Sequence, residues 1–464
     1  MKNELQNVLA SIRKAENKTG TELCIGKIVG TTIFEQIEEG GGKYAIYQKM
    51  ADGTWQLRSR PEYEQFVPLI GTPLSCPPLP IEYESEEQLY NNVKAFIEKY
   101  LDVPNPLAYD VLTAFVFNTW LAEIFDFCPY IGFYGRESVG KTRGLEILKE
   151  LCFRGWLTTN ITTATLFRLT QKFSPTLLLD ESEFLTSEDK KELIGLLNSG
   201  QRRGVFIPRM MGEHSEEIGF YNVYCPKAIA GTRELKGTTR SRMITFTMTR
   251  NVKAVPRTID KYEGQKLRGQ LLMWRFLKIA QMQDELTLKQ KLTGKTELKA
   301  TREFKELESL SGRNFELFYP LCYVAPTEEA RKSIFQFAEE LESAKLQTEK
   351  TELSTIIFEA IINIKDTKAS HNLLLIKDIA EYINGDQSPQ YWTPEKTIVR
   401  RCGQMGFEKT RVSRGTAIIL NQQLIDRLRK DPRYSSELFN FEPNEANEPK
   451  KDTTRESVSE WPSP

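Results

Sequence analysis

Residues Gly135-Arg136-Glu137-Ser138-Val139-Gly140-Lys141-Thr142 spell G-x-x-x-x-G-K-T. The apolar, aromatic run Tyr130 to Tyr134 comes before them, and a helical pattern from Arg143 to Leu151 follows. A strand that turns through glycines into a helix start aims several backbone N–H groups at one point. The helix dipole adds positive potential there, so the loop suits nucleotide phosphates. In that chemistry Lys141 reaches the β- and γ-phosphates, the Thr142 hydroxyl ligates Mg²⁺, and residues 135–142 as a whole cradle the nucleotide.

Hydrolysis needs acids as well as a cradle. Pro175-Thr176-Leu177-Leu178-Leu179-Asp180-Glu181 delivers two carboxylates at the end of a four-residue run of buried-strand type. Ligands of α/β sheets bind at that strand end. Asp180 is expected to hold Mg²⁺ and Glu181 to orient and polarise the attacking water. The blander role for both is an acidic cap on a helix starting near Ser187. The acid pair's position downstream of the phosphate loop favours the catalytic role.

The elements that must position these residues can be read coarsely. From about 129 to 250, short apolar runs alternate with helical stretches, the pattern of a parallel α/β sheet. The spacing predicts a small N-terminal α/β module over 1–66, with strands at 32–37 and 43–49 on either side of Gly40-Gly41-Gly42. Asp52-Gly53 then turns the chain toward Trp55. A proline-rich linker follows over 67–84, and the phosphate-loop core spans 85–255 with helices near 86–101 and 107–125. Charge-rich helices fill 256–350. A separate small domain over 351–433 has helices at 352–363, 376–384 and 395–405 and a hairpin through 409–412 and 416–420. Three helices and a hairpin predict a winged helix. The Ser, Glu, Asn and Pro content of 434–464 predicts disorder.

Several segments together resemble one family. They are Phe117-Asn118-Thr119-Trp120-Leu121, the Pro129–Gly135 approach to the loop, Ala164-Thr165-Leu166-Phe167-Arg168-Leu169, the acid strand, and Leu197-Asn198-Ser199-Gly200-Gln201-Arg202-Arg203-Gly204. They look like AAA+ ATPases of phages, plasmids and integrated mobile elements, similar to the helicase part of primase–helicase proteins. The resemblance covers roughly 85–340 and, more weakly, the C-terminal domain. It implies a parallel-sheet ATPase core with a helical lid, ATP and Mg²⁺ as cofactors, a homo-oligomeric ring and DNA as partner, with any primase or polymerase supplied by another chain. It also implies residue roles. Thr232, after the run Pro226–Ala230, takes the place of the first sensor of the γ-phosphate, although the family commonly has asparagine there. Arg242, just before the run Met243–Met248, takes the place of an arginine finger acting on a neighbouring subunit's ATP. Arg313, in Gly312-Arg313-Asn314-Phe315-Glu316-Leu317-Phe318-Tyr319-Pro320-Leu321, takes the place of a second sensor on bound ATP. Each of these three also has an ordinary reading, as a turn threonine, a solvated basic loop and a surface charge.

Nucleic-acid contacts are expected at two places. Gly204–Arg209 and Ile218–Val223 read as a hairpin inserted before Thr232, on which Arg202, Arg203 and Arg209 are placed to meet backbone phosphates. Glu213, Glu216 and Glu217 near its tip oppose that reading. In the C-terminal domain, Lys396 and Arg400 lie four apart on one helix face, with Arg411 and Arg414 on the wing.

Composition closes off other chemistries. Seven cysteines with no C-x-x-C pair argue against a disulfide framework or a cysteine zinc site. Two histidines, His214 and His371, leave almost no material for histidine metal clusters or a Ser-His-Asp triad. No apolar run reaches the length of a membrane span, and the polar start predicts no signal peptide, so the cytoplasm is the expected location. Lys+Arg and Asp+Glu both total 63, so DNA binding would require a local basic stripe and cannot come from net charge. The reading at this point is an ATP hydrolase, a DNA helicase or DNA-remodelling motor in replication of a mobile element. An ATP-dependent assembly switch for transposition or regulation is the alternative, and a non-hydrolysing ATP-binding module is a third.

Overall fold

The computed structural model describes residues 22–434 except 39–41, 64, 72–73, 160, 181–186, 212–216, 236, 294–299, 301, 311, 351–352, 386–391 and 432. The chain divides into two compact units, Met1–Glu342 and Ser343–Pro464.

The first unit opens with six strands: β1 (Glu22–Cys24), β2 (Gly26–Val29), β3 (Thr32–Ile37), β4 (Lys43–Lys49), β5 (Trp55–Arg60) and β6 (Phe66–Pro68). β2 to β5 form an antiparallel meander, and β1 pairs with β6. β3 and β4 coincide with the strands expected from sequence. All six residues of β3 are buried, because one face meets the module's own aromatics and the other meets the rest of the unit. On the inner side Phe34 packs edge-on to Tyr44. On the outer side Glu35 forms a two-pronged ion pair with Arg154, both bonds 2.6 Å.

The proline-rich segment that follows runs extended over the core. The Ser75 amide donates to the Gly155 carbonyl and the Ile81 amide to the Gly269 carbonyl.

Helix α1 (Glu86–Tyr100) starts at Ser85, whose side chain accepts the Gln88 amide, with Glu86 and Glu87 complementing the dipole. Helix α2 (Ala108–Trp120) is buried on nearly every face, as its apolar sequence demands. The Trp120 indole donates to the Leu151 carbonyl, pinning α2 to the helix that leaves the phosphate loop.

The central sheet contains β7 (Tyr130–Tyr134), β8 (Gly155–Thr158), β9 (Thr176–Leu179), β12 (Lys227–Gly231) and β13 (Met243–Thr247). Its order is β13-β7-β12-β9-β8, and every pairing is parallel. Helices α3 (Lys141–Leu151), α4 (Thr163–Phe173) and α5 (Ser187–Ser199) make the crossovers, and β10 (Phe206–Met211) pairs with β11 (Glu217–Asn222) as a hairpin ahead of β12. Residues 256–350 supply three helices: α6 (Lys261–Thr293), about 50 Å long, α7 (Gly312–Val324) and α8 (Glu328–Lys350). Tyr47 of the N-terminal sheet stacks on Phe276 of α6, and Lys49 pairs with Asp284 at 2.7 Å. The N-terminal sheet therefore grips both the strand layer, through Arg154, and the long helix.

The second unit has its own core. Helices α9 (Leu353–Lys368), α10 (Ile376–Asn384) and α11 (Glu395–Gln404) pack with a three-stranded antiparallel sheet ordered β14 (Leu373–Leu375), β16 (Gly415–Ile419), β15 (Lys409–Val412), and α12 (Gln422–Arg429) follows. Strand β14 was not anticipated. Its three leucines continue directly into α10, and nothing in the alternation of the sequence marks the break. The tail expected to be disordered lies, beyond Tyr434, outside the described residues. All seven cysteines are free and buried. Among the described residues no helix is long and apolar enough to cross a membrane.

Candidate functional site

The loop Gly135–Gly140 leaves the carboxyl end of β7 and enters α3 at Lys141. Two glycines are required by the backbone. Gly140 sits at φ +88°, a region costly for residues with a side chain. A Cβ on Gly135 would stand 2.4 Å from the Met248 carbonyl oxygen, because the segment leaving β13 lies directly against the loop. Ser138 also takes a left-handed conformation, at φ 59°. The Lys141 ammonium donates to the carbonyls of Gly135 (2.8 Å) and Arg136 (2.7 Å), so it curls back over the loop's mouth. Arg136, Glu137, Ser138 and Thr142 are exposed, and Val139 is half-buried.

Asp180 follows β9 and is 8% exposed, with its amide held by the Thr158 carbonyl. Thr232 follows β12 and is exposed. β12 separates β7 from β9, so the loop and Asp180 stand about 10 Å apart, two strand spacings, with Thr232 between them. That gap suits phosphates and a hydrated cation. The donors available, the Thr142 hydroxyl and the Asp180 carboxylate, are hard oxygens of the kind Mg²⁺ takes when phosphates complete its shell. Glu181 lies outside the described residues.

The structure does not bring Arg242 or Arg313 to this edge. Arg242 ends a short 3-10 turn, Arg240–Arg242, immediately before β13. Met243 pairs with Tyr130 at the start of β7, which leaves Arg242 about 20 Å of strand rise from the loop. Arg313, expected over bound ATP, is at this same amino edge. Its guanidinium donates to Gln201 Oε1 (3.0 Å) and to Glu316 Oε2 (2.5 Å), and the Gln201 carbonyl accepts the Cys128 amide just before β7. The physical reason is α7, which packs beside the 3-10 turn at the amino edge and so carries Arg313 away from the loop of its own subunit. Burial, and next the charge of Arg313, push the Arg242 guanidinium below its ordinary pKa.

Sequence reasoning missed what builds this edge. Asn198 Oδ1 accepts the Thr239 hydroxyl beside the 3-10 turn, and Gln201 holds Arg313. Lys227, fully buried, donates to the carbonyls of Val223 and Cys225 at 3.0 Å and to the Tyr130 hydroxyl at 3.2 Å. The recurrence of Asn198 and Gln201 in one short segment was the available signal. Also missed was Asp102, whose carboxylate caps the amides of Val252 and Lys253 next to the loop-covering segment.

The hairpin forms where expected, but two of the three arginines expected to meet phosphates, Arg203 and Arg209, are engaged by the protein. Arg209 stacks over the Phe167 ring at 4.5 Å, on the side turned to α4. Arg203 donates to the Glu123 carbonyl and pairs with Asp126 at 3.5 Å. Arg202 is exposed, with its guanidinium over Phe127. The outward face is apolar instead: Phe206, Met210, Ile218 and Phe220 are all more than half exposed. Glu213 and Glu216 lie outside the described residues. In the second unit Lys396, Arg400, Arg411 and Arg414 are all exposed.

No family model matches the chain, and no curated protein matches it in sequence. Among solved structures, the apo NrS-1 C-terminal region is 13% identical over 84% of this chain and 97% of its own, with a TM-score of 0.34. SCCmec type IV Cch, described as an active helicase, is 9% identical over 91% of this chain and 84% of its own, with a TM-score of 0.36. Drosophila ORC bound to DNA is 13% identical over 75% of this chain and 93% of its own, with a TM-score of 0.18. These likenesses are too loose to carry a functional argument.

Proposed function

We propose that this protein is an AAA+ ATPase that binds ATP with Mg²⁺, hydrolyses it, and works as a DNA helicase or DNA-remodelling motor in replication of a mobile element. One observation carries the proposal. The G-x-x-x-x-G-K-T loop and Asp180 leave neighbouring ends of one parallel sheet, with Thr232 on the strand between them. Lys141 leaves its loop carbonyls for the phosphates, Thr142 and Asp180 hold the metal, and Glu181 activates water. Arg242 and Arg313 act on the ATP of a neighbouring copy, which makes a homo-oligomeric ring the working form. The second unit is winged-helix-like, with α11 as its recognition helix.

A second reading, the assembly switch without unwinding, is favoured by the hairpin. Among the described residues Arg203 and Arg209 are engaged by the protein, which leaves Arg202 as the exposed arginine of the three expected to follow phosphates. Strand displacement on a forked duplex, measured beside ATP turnover, separates the two. Unwinding supports the motor. Turnover with no displacement supports the switch.

A further inference from the structure

Helix α6 carries Trp274, Lys278, Gln281, Met282 and Glu285 on one face, at helical spacing. That face, the end of α7 and Arg302 enclose a cavity of about 350 Å³, within the size range of small-molecule sites. Leu121, Met282 and Val324 give it an apolar wall. Trp274 also lines it and is 1% exposed, yet its indole N–H meets no acceptor. Buried indole N–H groups ordinarily find a partner. A donor left open at the wall of a cavity therefore points to something that fills the cavity. One water, at about 30 Å³, does not.

The charges at the mouth narrow what that is. Lys278 is neutralised by Glu86 at 2.7 Å. Arg302 and Glu285 are exposed and opposite in charge, but among the described residues neither has an ion-pair partner, and they do not pair with each other. The Arg302 guanidinium rests 5.0 Å over the Phe304 ring, and Glu285 accepts the Gln281 amide at 3.1 Å. Tyr323 lines the same cavity. Burial first, and then the charge of Glu285, raises its pKa, while Arg302 pulls it down, so both charges act on one hydroxyl.

We propose that this cavity binds a free α-amino acid with an apolar side chain. Its carboxylate meets Arg302 and the Trp274 N–H, its ammonium meets Glu285, and its side chain lies against Leu121, Met282 and Val324. Two opposite unpaired charges at one mouth suit a zwitterion. A simple anion would face Glu285, and a simple cation would face Arg302. A nucleotide would bring several negative charges to a mouth with one unpaired cation and one acid. The site is separate from the phosphate loop, and the inference does not depend on ATP hydrolysis. A bound ligand joins α6 to the end of α7 and stabilises the fold by mass action.

The test labels the full chain with 5-fluorotryptophan and follows its six indole signals by fluorine NMR, with Trp274→Phe identifying the one that reports on the cavity. Millimolar L-leucine is expected to move that signal saturably and to raise the thermal melt. Leucinamide lacks the carboxylate and N-acetylleucine lacks the ammonium, so each should bind about tenfold more weakly or worse, having lost one charge-assisted contact. Arg302→Met and Glu285→Gln should each weaken leucine binding by a similar factor. Both residues are exposed, so neither change disturbs the core. A Trp274 signal that leucine leaves unmoved overturns the inference. So does a shift that both variants retain, or one that all three compounds produce alike, which would make the cavity an apolar cleft open to any leucyl group. Lys141→Ala protein should bind leucine as the wild type does, so failure of the ATPase assignment leaves this inference standing.

Discussion

Arg242 and Arg313 stand together at the amino edge of the central sheet, where burial first, and then the nearby charge of Arg313, lowers the pKa of Arg242. Lys141 is at the opposite edge. Two guanidinium groups held near each other repel, and Nε of Arg242 is buried without a hydrogen-bond partner. The arrangement is stable because Gln201 and Glu316 hold Arg313 and the Thr238 carbonyl holds Arg242. In the homo-oligomeric ring proposed above, the anion these two groups would meet is the neighbour's ATP.

Arg242→Ala should therefore lower ATP turnover by about 10³-fold or more, the range for a lost arginine finger, while ATP affinity stays near wild type. Mixing it with Glu181→Gln should restore activity, because the second variant lends its intact Arg242 to the first variant's intact acids. Arg313→Ala should likewise reduce turnover without the loss of ATP binding that a sensor in the same subunit would give. Mixtures no more active than the sum of their components would show that Arg242 does not act across subunits.

The loop itself can be tested by shape. Gly135→Ala places a methyl 2.4 Å from a backbone oxygen of Met248 and 3.0 Å from Val139 Cγ2. Backbone cannot yield as a side chain tip can, so the loop must shift. ATP affinity measured by calorimetry should fall by about tenfold or more, roughly 1.4 kcal/mol. Wild-type affinity would mean that this loop does not grip the phosphates.

Glu181→Gln keeps size and shape but removes the base. ATP binding should persist and turnover should drop by about 10²-fold or more. Wild-type turnover in a steady-state assay would remove Glu181 from the chemistry.

The Glu35–Arg154 pair makes a stability prediction. Burial raises the Glu35 carboxyl above its ordinary pKa, against the pull of Arg154, which favours the charged form. Both side chains are nearly inaccessible, at 1% and 7%. Glu35→Ala leaves the Arg154 charge buried and unpaired, and should cost about 3–5 kcal/mol in denaturant unfolding. Replacing both by apolar residues of similar volume should cost far less. Equal losses in the single and double variants would show that the pair itself, beyond desolvation, holds the N-terminal sheet to the core.

What the sequence made legible was what local backbone chemistry determines. The turn of Gly135–Gly140 into α3, the strand before Asp180 and the hairpin at 206–222 follow from short-range spacing. The direction in which a hairpin residue faces does not. Phe206, Pro208 and Met210 alternate with Ile207 and Arg209, so both faces offered apolar anchors, and only α4 decides that Arg209 turns inward over Phe167. The position of Arg313 was equally hidden. It depends on how α7 packs against the turn before β13, a tertiary contact that no periodicity encodes. Glu35 looked like an ordinary polar strand residue because its partner lies 119 residues away.

The proposed function stands on ATP turnover whose rate DNA governs. Steady-state hydrolysis should be measured for the wild type and Lys141→Ala, with and without single-stranded DNA, at two salt concentrations. Mg²⁺-dependent turnover is expected, stimulated by single-stranded DNA with the stimulation weakening as salt rises, and no turnover is expected in Lys141→Ala. Wild-type turnover no greater than that of Lys141→Ala would contradict the ATPase assignment. Turnover indifferent to DNA would contradict the motor and leave the assembly switch.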